Sequence, residues 1–171
     1  MRFAICHSGA LHADPAAVAE LGVTANRERV EEFWDDLYRR DWDAVGTYFA
    51  DDGEYTDVPT PPDDVARGPE QIVARLRVGL EPLESISHDV RAYVADGDTV
   101  ITEHVEHWSW PTGERASLPF VSVQAFRAGK IVRWWDYWDL ATLMNAAPAW
   151  WVEHIMTESA RAGLRADEPP G

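Results

Sequence analysis

Between residues 30 and 37 apolar side chains recur every three or four positions, which places Val30, Phe33, Trp34 and Leu37 on one face of a helix. Thr24 or Asn26 can cap that helix, which is predicted to run to about Arg40. Asp41 caps a second, short helix in which Trp42, Val45, Tyr48 and Phe49 share a side. Asp51-Asp52-Gly53 reads as a turn into a strand at 54–58, ended by the prolines at 59, 61 and 62. Gly68-Pro69-Glu70 opens a third helix lined by Ile72, Val73, Leu76 and Leu80. From Ser85 the period falls to two, predicting strands at 86–95, 99–110, 116–127 and 130–140. Ala95-Asp96-Gly97-Asp98 and Arg127-Ala128-Gly129-Lys130 suit hairpin turns, and Pro111-Thr112-Gly113 a longer one. A last helix, 148–162, carries Trp150, Trp151 and Ile155, and a Pro-rich tail follows from Arg165. Helices followed by a run of strands make an α+β domain, its helices covering one face of a curved antiparallel sheet that can enclose a pocket. The expected division is an N-terminal arm at 1–24 with a helical turn around 16–21, a folded unit at 25–145, and a C-terminal helix and loose tail at 146–171.

Composition narrows the function classes. The 171 residues include 46% hydrophobic side chains and nine Trp, enough apolar area to offset the chain entropy lost on folding. Fifteen Lys and Arg against 30 Asp and Glu leave a net charge of −15 and no basic stripe for nucleic acid. The one cysteine, Cys6, excludes an internal disulfide and a Cys-rich zinc site. No apolar run approaches the ~18–20 residues of a membrane span. His7 and Ser8 interrupt the N-terminal apolar stretch, so it reads poorly as a signal peptide and a cytoplasmic domain is expected. There is no Gly-rich phosphate loop and no G-x-S-x-G elbow, hence no support for a nucleotide cofactor or a serine hydrolase.

The candidate chemistry lies on two strands. In Thr102-Glu103-His104-Val105-Glu106-His107-Trp108, alternation puts His104, Glu106 and Trp108 on one face and His107 on the other. One metal ion therefore could not collect both histidines without a bulge, and no metal site is expected. In Arg133-Trp134-Trp135-Asp136-Tyr137-Trp138, Trp134, Asp136 and Trp138 share a face. If both faces point into the concavity, His104, Glu106 and Asp136 meet inside an aromatic wall, where burial and like charge push carboxyl pKa values apart. Trp108, Trp134 and Trp138 then form a binding wall for an apolar ligand, while Trp34, Trp42, Trp150 and Trp151 suit helix packing or a subunit contact. The pairs Asp35-Asp36, Asp51-Asp52 and Asp63-Asp64 read as solvated surface or caps.

These residues carry a family resemblance. Phe49-Ala50-Asp51-Asp52 through Tyr55-Thr56-Asp57-Val58-Pro59, Arg67-Gly68, Glu103-His104-Val105-Glu106 and Gly129-Lys130-Ile131 leading to Trp135-Asp136-Tyr137-Trp138-Asp139-Leu140 resemble the nuclear-transport-factor-2-like superfamily. Within it the chain is similar to the limonene-epoxide-hydrolase-like and SnoaL-like branch, over about residues 25–145. The resemblance implies a cone of strongly bent antiparallel sheet closed by helices (a cystatin-like α+β roll), often a homodimer through the outer sheet face. It implies cofactor-free acid–base chemistry on an apolar small molecule. Matched to the epoxide hydrolases, Asp136 falls at the base that deprotonates water, Glu106 at the acid, and His104 at an arginine bridging the two carboxylates. Tyr55 and Asp57 fall at the tyrosine and asparagine that hold the water. Imidazole titrates near neutrality where guanidinium stays charged, and an ionised Asp57 cannot donate a hydrogen bond. A histidine here with an aspartate in the last strand also resembles SnoaL-type polyketide cyclases, in which Asp136 would move a carbon-bound proton and His104 polarise a carbonyl. Epoxide hydrolysis is the first reading; the alternatives are a cyclase or ketosteroid-isomerase-like isomerase, and a non-catalytic binding or dimerisation module.

Overall fold

A computed structural model describes residues 15–161, with side chains over 22–158. The elements in order are α1 (Pro15–Arg39), α2 (Trp42–Thr47), β1 (Phe49–Asp57), β2 (Ala66–Arg67), α3 (Gly68–Leu80), β3 (Ser85–Asp96), β4 (Thr99–Ser109), β5 (Arg115–Arg127), β6 (Lys130–Tyr137), α4 (Leu140–Ala146) and α5 (Ala149–Arg161). They form the expected α+β domain around one six-stranded, curved, unclosed sheet of order β2-β1-β6-β5-β4-β3. Every neighbouring pair is antiparallel except β1 and β6, which run parallel. The helical face of α1 buries Val30, Phe33, Trp34 and Leu37 as the spacing predicts, against inward-facing residues of the sheet such as Val100, Phe126, Ile131 and Trp134.

Several boundaries differ from the sequence reading, each for a local reason. Helix α1 starts at Pro15, so residues 15–24 of the expected arm are helical; the Ala-rich run 16–19 has high helix propensity and Gly22 is tolerated inside it. Residues 1–14, including Cys6, His7 and His12, and the tail from Arg165 lie outside the described residues. Arg40 takes a left-handed conformation (φ 58°) that ends α1, and Asp41 then caps α2 by accepting from the Ala44 amide at 3.1 Å. Strand β6 stops at Tyr137 rather than 140, because Asp139 accepts from the Thr142 amide at 2.6 Å and starts α4.

Strand β1 begins at Phe49, five residues before the expected strand start at 54. Its pairing with β6 slips between Phe49 and Glu54, so Asp51-Asp52-Gly53 forms a bulge within the strand. A Cβ on Gly53 would sit 3.0 Å from both the Ala50 and Ile131 carbonyl oxygens, neither of which is a flexible group. Gly53→Ala is therefore expected to destabilise the fold by about 1–3 kcal/mol in chemical denaturation; an unchanged midpoint would contradict the bulge geometry.

Candidate active site

Sheet register assembles the site. Alternation along β4 buries Val100, Thr102, His104, Glu106 and Trp108, and along β6 it buries Trp134 and Asp136. Asp57 on β1 pairs with Asp136 on β6, and Asp136 with Ser122 on β5, so three polar side chains stand in one row across three strands. Tyr55 pairs with Trp134, and their rings lie 4.2 Å apart. The concave face opens into a cavity of about 810 Å³ whose wall includes Tyr55, Asp57, Glu106, Trp108, Phe120, Trp134, Asp136 and Trp138. The rim is apolar, with Leu140, Leu143 and Met144 from α4 and Trp151, Val152 and Ile155 from α5. The C-terminal helix thus covers the cone. Asp63, Asp64 and Arg75 also line the cavity, and Asp64 and Arg75 form an ion pair.

Asp136 is 4% exposed and strongly oriented. Its Oδ1 accepts from Ser122 Oγ at 2.5 Å and from Trp134 Nε1 at 2.6 Å, while Oδ2 lies 3.3 Å from the Tyr55 hydroxyl. That hydroxyl is closer to Asp57 Oδ1, at 2.8 Å, and Trp138 Nε1 donates to the same oxygen at 3.0 Å. Burial pushes the Asp136 carboxyl well above the ordinary carboxylate range, and neighbouring Asp57 pushes it the same way. The Asp57 carboxyl is also raised by burial, partly opposed by its two hydrogen bonds.

Glu106 has its own donors: Tyr38 Oη gives to Oε1 and Trp108 Nε1 to Oε2, each at 2.7 Å. Burial nevertheless pushes its carboxyl up to about 7, against the pull of both hydrogen bonds. A carboxyl raised by folding contributes fully below its unfolded value, near 4.5, and that contribution is lost as pH rises through about 7. From this group alone, unfolding free energy should drop by about 3 kcal/mol between pH 4.5 and 8. Denaturation across that range should show a clearly shallower slope in Glu106→Gln; equal slopes would mean that Glu106 is ionised at no cost.

His104 departs from expectation. It is 1% exposed and does not line the cavity, so it cannot touch a substrate carbonyl there. Instead its Nε2 lies 3.2 Å from Ser122 Oγ and its Nδ1 lies 3.1 Å from Nδ1 of His88. Burial, with His88 adding to it, depresses its pKa to about 3 and keeps the ring neutral. It bridges no pair of carboxylates; it reaches Asp136 through Ser122. His107 faces outward as alternation requires, against Asp89 and Ser117.

The structure thus brings together Asp136, Glu106, Tyr55, Asp57, Trp108, Trp134 and Trp138 on one cavity wall and sets His104 behind it. Sequence reasoning missed Ser122, Tyr38 and His88. Ser122 left a readable trace, as a polar residue in phase with Leu118 and Phe120 on the buried face of β5. Tyr38 follows Trp34 at helical spacing, and their rings stack at 5.8 Å. Among the tryptophans assigned to packing, Trp34 and Trp151 also line the cavity, whereas Trp150 is exposed and donates to Thr112 Oγ1.

A family profile described as a SnoaL-like domain matches residues 30–134, more than half of the chain. The chain belongs to the SnoaL-like domain family. This SnoaL-like chain is similar in fold to an LEH-like epoxide hydrolase from M. tuberculosis, with 21% identity, a TM-score of 0.62, and coverage of 84% of this chain and 98% of that one. It is also similar to a putative SnoaL-like polyketide cyclase from Jannaschia sp. CCS1, with 18% identity, a TM-score of 0.64, and coverage of 82% and 99%. A hypothetical protein of ketosteroid-isomerase-like fold from Catenulispora acidiphila, in complex with trimethylamine, matches with 23% identity, a TM-score of 0.61, and coverage of 84% and 98%. At these identities the likeness establishes the nuclear-transport-factor-2-like fold of the SnoaL-like chain. No helix among its described residues is long and apolar enough to cross a membrane.

Proposed function

We propose that this SnoaL-like protein is a cofactor-free enzyme that adds water to an apolar epoxide by general acid–base catalysis. The observation that carries the reading is the contrast between two carboxyls on one cavity wall. Burial raises both, Glu106 to about 7 and Asp136 well above the ordinary range, but Asp136 Oδ1 receives the shorter hydrogen bonds, at 2.5 and 2.6 Å, and these favour its ionised form. Asp57 and Asp136 flank a single tyrosine hydroxyl, and like charge so close keeps one of the two protonated. Asp136 has the shorter donors, 2.5 and 2.6 Å against 2.8 and 3.0 Å at Asp57, and on this reading they let it work as the base, with the shared proton on Asp57, against the upward push of burial.

Both donors to Asp57 use Oδ1, and Oδ2 is left to orient a water between it, Tyr55 Oη and Asp136 Oδ2. Asp136 takes one proton from that water as its oxygen attacks an epoxide carbon. Glu106 gives its proton to the departing epoxide oxygen, and a diol results. The tryptophans and the apolar rim hold the hydrocarbon body of the substrate and exclude bulk water. The resemblance to an LEH-like epoxide hydrolase supports the same choice. A homodimer through the outer sheet face, where Val94, Val121 and Tyr137 are exposed, belongs to this reading.

An epoxide panel differing in size and substitution tests the proposal. Diol formation from at least one apolar member is expected. Deuterium exchange at a carbon next to a carbonyl, with no diol from any epoxide, would instead select the isomerase or cyclase chemistry. Binding without either reaction would leave a ligand-binding module.

A further inference from the structure

Ser122, His104 and His88 are absent from the cavity wall, yet they form an unbroken chain of hydrogen-bonding atoms ending on the proposed base. The links measure 2.5 Å from Ser122 Oγ to Asp136 Oδ1, 3.2 Å from His104 Nε2 to Ser122 Oγ, and 3.1 Å between the two histidine Nδ1 atoms. The chain crosses β6, β5, β4 and β3. It ends at His88, half-buried where β3 meets α1, with its ring 4.4 Å from that of Tyr38. We propose that Ser122, His104 and His88 are positioning residues forming a proton relay, which exchanges the Asp136 proton with solvent at the α1–β3 seam rather than through the cavity mouth.

Proton counting fixes the direction of every bond. Ser122 has one hydroxyl proton, and an ionised Asp136 can only accept, so that proton points to Oδ1. The Ser122 oxygen must then receive the Nε2 proton of His104. A neutral imidazole carrying its proton on Nε2 has a bare Nδ1, so the proton between the two rings belongs to Nδ1 of His88. His88 Nε2 is thereby left bare as the solvent terminus.

The transfer balances in four moves. His88 Nε2 takes a proton from solvent, and His88 Nδ1 passes its own to His104 Nδ1. His104 Nε2 passes its proton to Ser122 Oγ, and Ser122 passes its hydroxyl proton to Asp136 Oδ1. At the end Asp136 is a neutral acid, both imidazoles are neutral, and each has exchanged one tautomer for the other. Run backwards, the same moves discharge Asp136 to solvent. The relay can therefore reset the carboxyl while substrate or product fills the cavity. The depressed pKa values of both rings suit a wire that stays neutral at rest. The ionisable groups around its outer end are Asp35 and Tyr38 of α1, Asp89 of β3, and Glu106, which pairs with His88 across β3 and β4.

This inference rests on the proposed role of Asp136 as base, but its test requires no turnover. The full-length protein, labelled with ¹⁵N in histidine and ¹³C in the aspartate carboxyl, is titrated by NMR. With Asp136 ionised, His104 should carry its proton on Nε2 and His88 on Nδ1. Both rings should exchange tautomers over the pH interval in which the Asp136 carboxyl signal titrates. Ser122→Ala should abolish that linked exchange and Ser122→Thr, which keeps the hydroxyl, should restore it. Retention of one tautomer through the Asp136 titration would overturn the relay, as would a linked exchange that survives Ser122→Ala. Should the alanine variant not fold, the unmodified protein decides by the same two tautomers. Diol formation is measured separately, so loss of the relay and loss of the hydrolase reading give different results.

Discussion

Asp136→Asn is expected to lower kcat on a turned-over epoxide by about 10²–10⁴-fold while leaving the fold intact. The amide keeps an oxygen to accept from Ser122 and Trp134, and its nitrogen can donate to the Tyr55 oxygen 3.3 Å away. What it loses is the ability to take a proton. Because Asp136 is 4% exposed and burial disfavours its charge, the variant should also unfold at equal or higher denaturant than the native protein at pH 8. A fall in kcat accompanied by higher stability separates loss of a base from damage to the fold. Turnover that survives the change would remove Asp136 from the chemistry.

Glu106→Gln should lower kcat by about 10²-fold or more and remove one limb of the pH–rate profile. In the native protein the acid is available below about pH 7 and is lost above it, so kcat should decline on the alkaline side. The glutamine variant should be slow at every pH and lack that decline. Its side chain has one allowed orientation: the carbonyl must face the Trp108 N–H, which can only donate, while the amide nitrogen faces the Tyr38 hydroxyl, which can turn to accept. The two changes act at opposite ends of one reaction, so their combined effect should fall short of the product of the two.

The fold class and the cavity wall were legible because both follow from period. Strict alternation along 102–108 and 134–138 depends only on strand geometry, and it correctly grouped Glu106 with Trp108 and Asp136 with Trp134. Period also put His104 on the same face, but facing inward is different from reaching the cavity. Trp34, packed 4.8 Å from the His104 ring, and Phe120 at 5.6 Å cover that imidazole, and no single-strand pattern reports such cross-element packing. The resemblance placed Asp57 near Asp136, but their pairing was illegible from period alone for a related reason. It depends on the one parallel contact in the sheet, between β1 and β6, whose register follows a bulge at Gly53 rather than a hairpin. Two-residue β2 is too short to leave any period, and α4 hid behind a strand-like run that Asp139 interrupts.

In the proposed reaction a water molecule, activated by Asp136, attacks the epoxide carbon itself. A single turnover in ¹⁸O-labelled water, with enzyme in excess over epoxide, distinguishes this from attack by a carboxylate. Direct attack predicts one ¹⁸O atom in the diol from the very first turnover. An unlabelled diol in that turnover, with ¹⁸O appearing in the enzyme's own carboxyl, would mean that an aspartate oxygen had bonded to carbon, and the general-base account would be wrong.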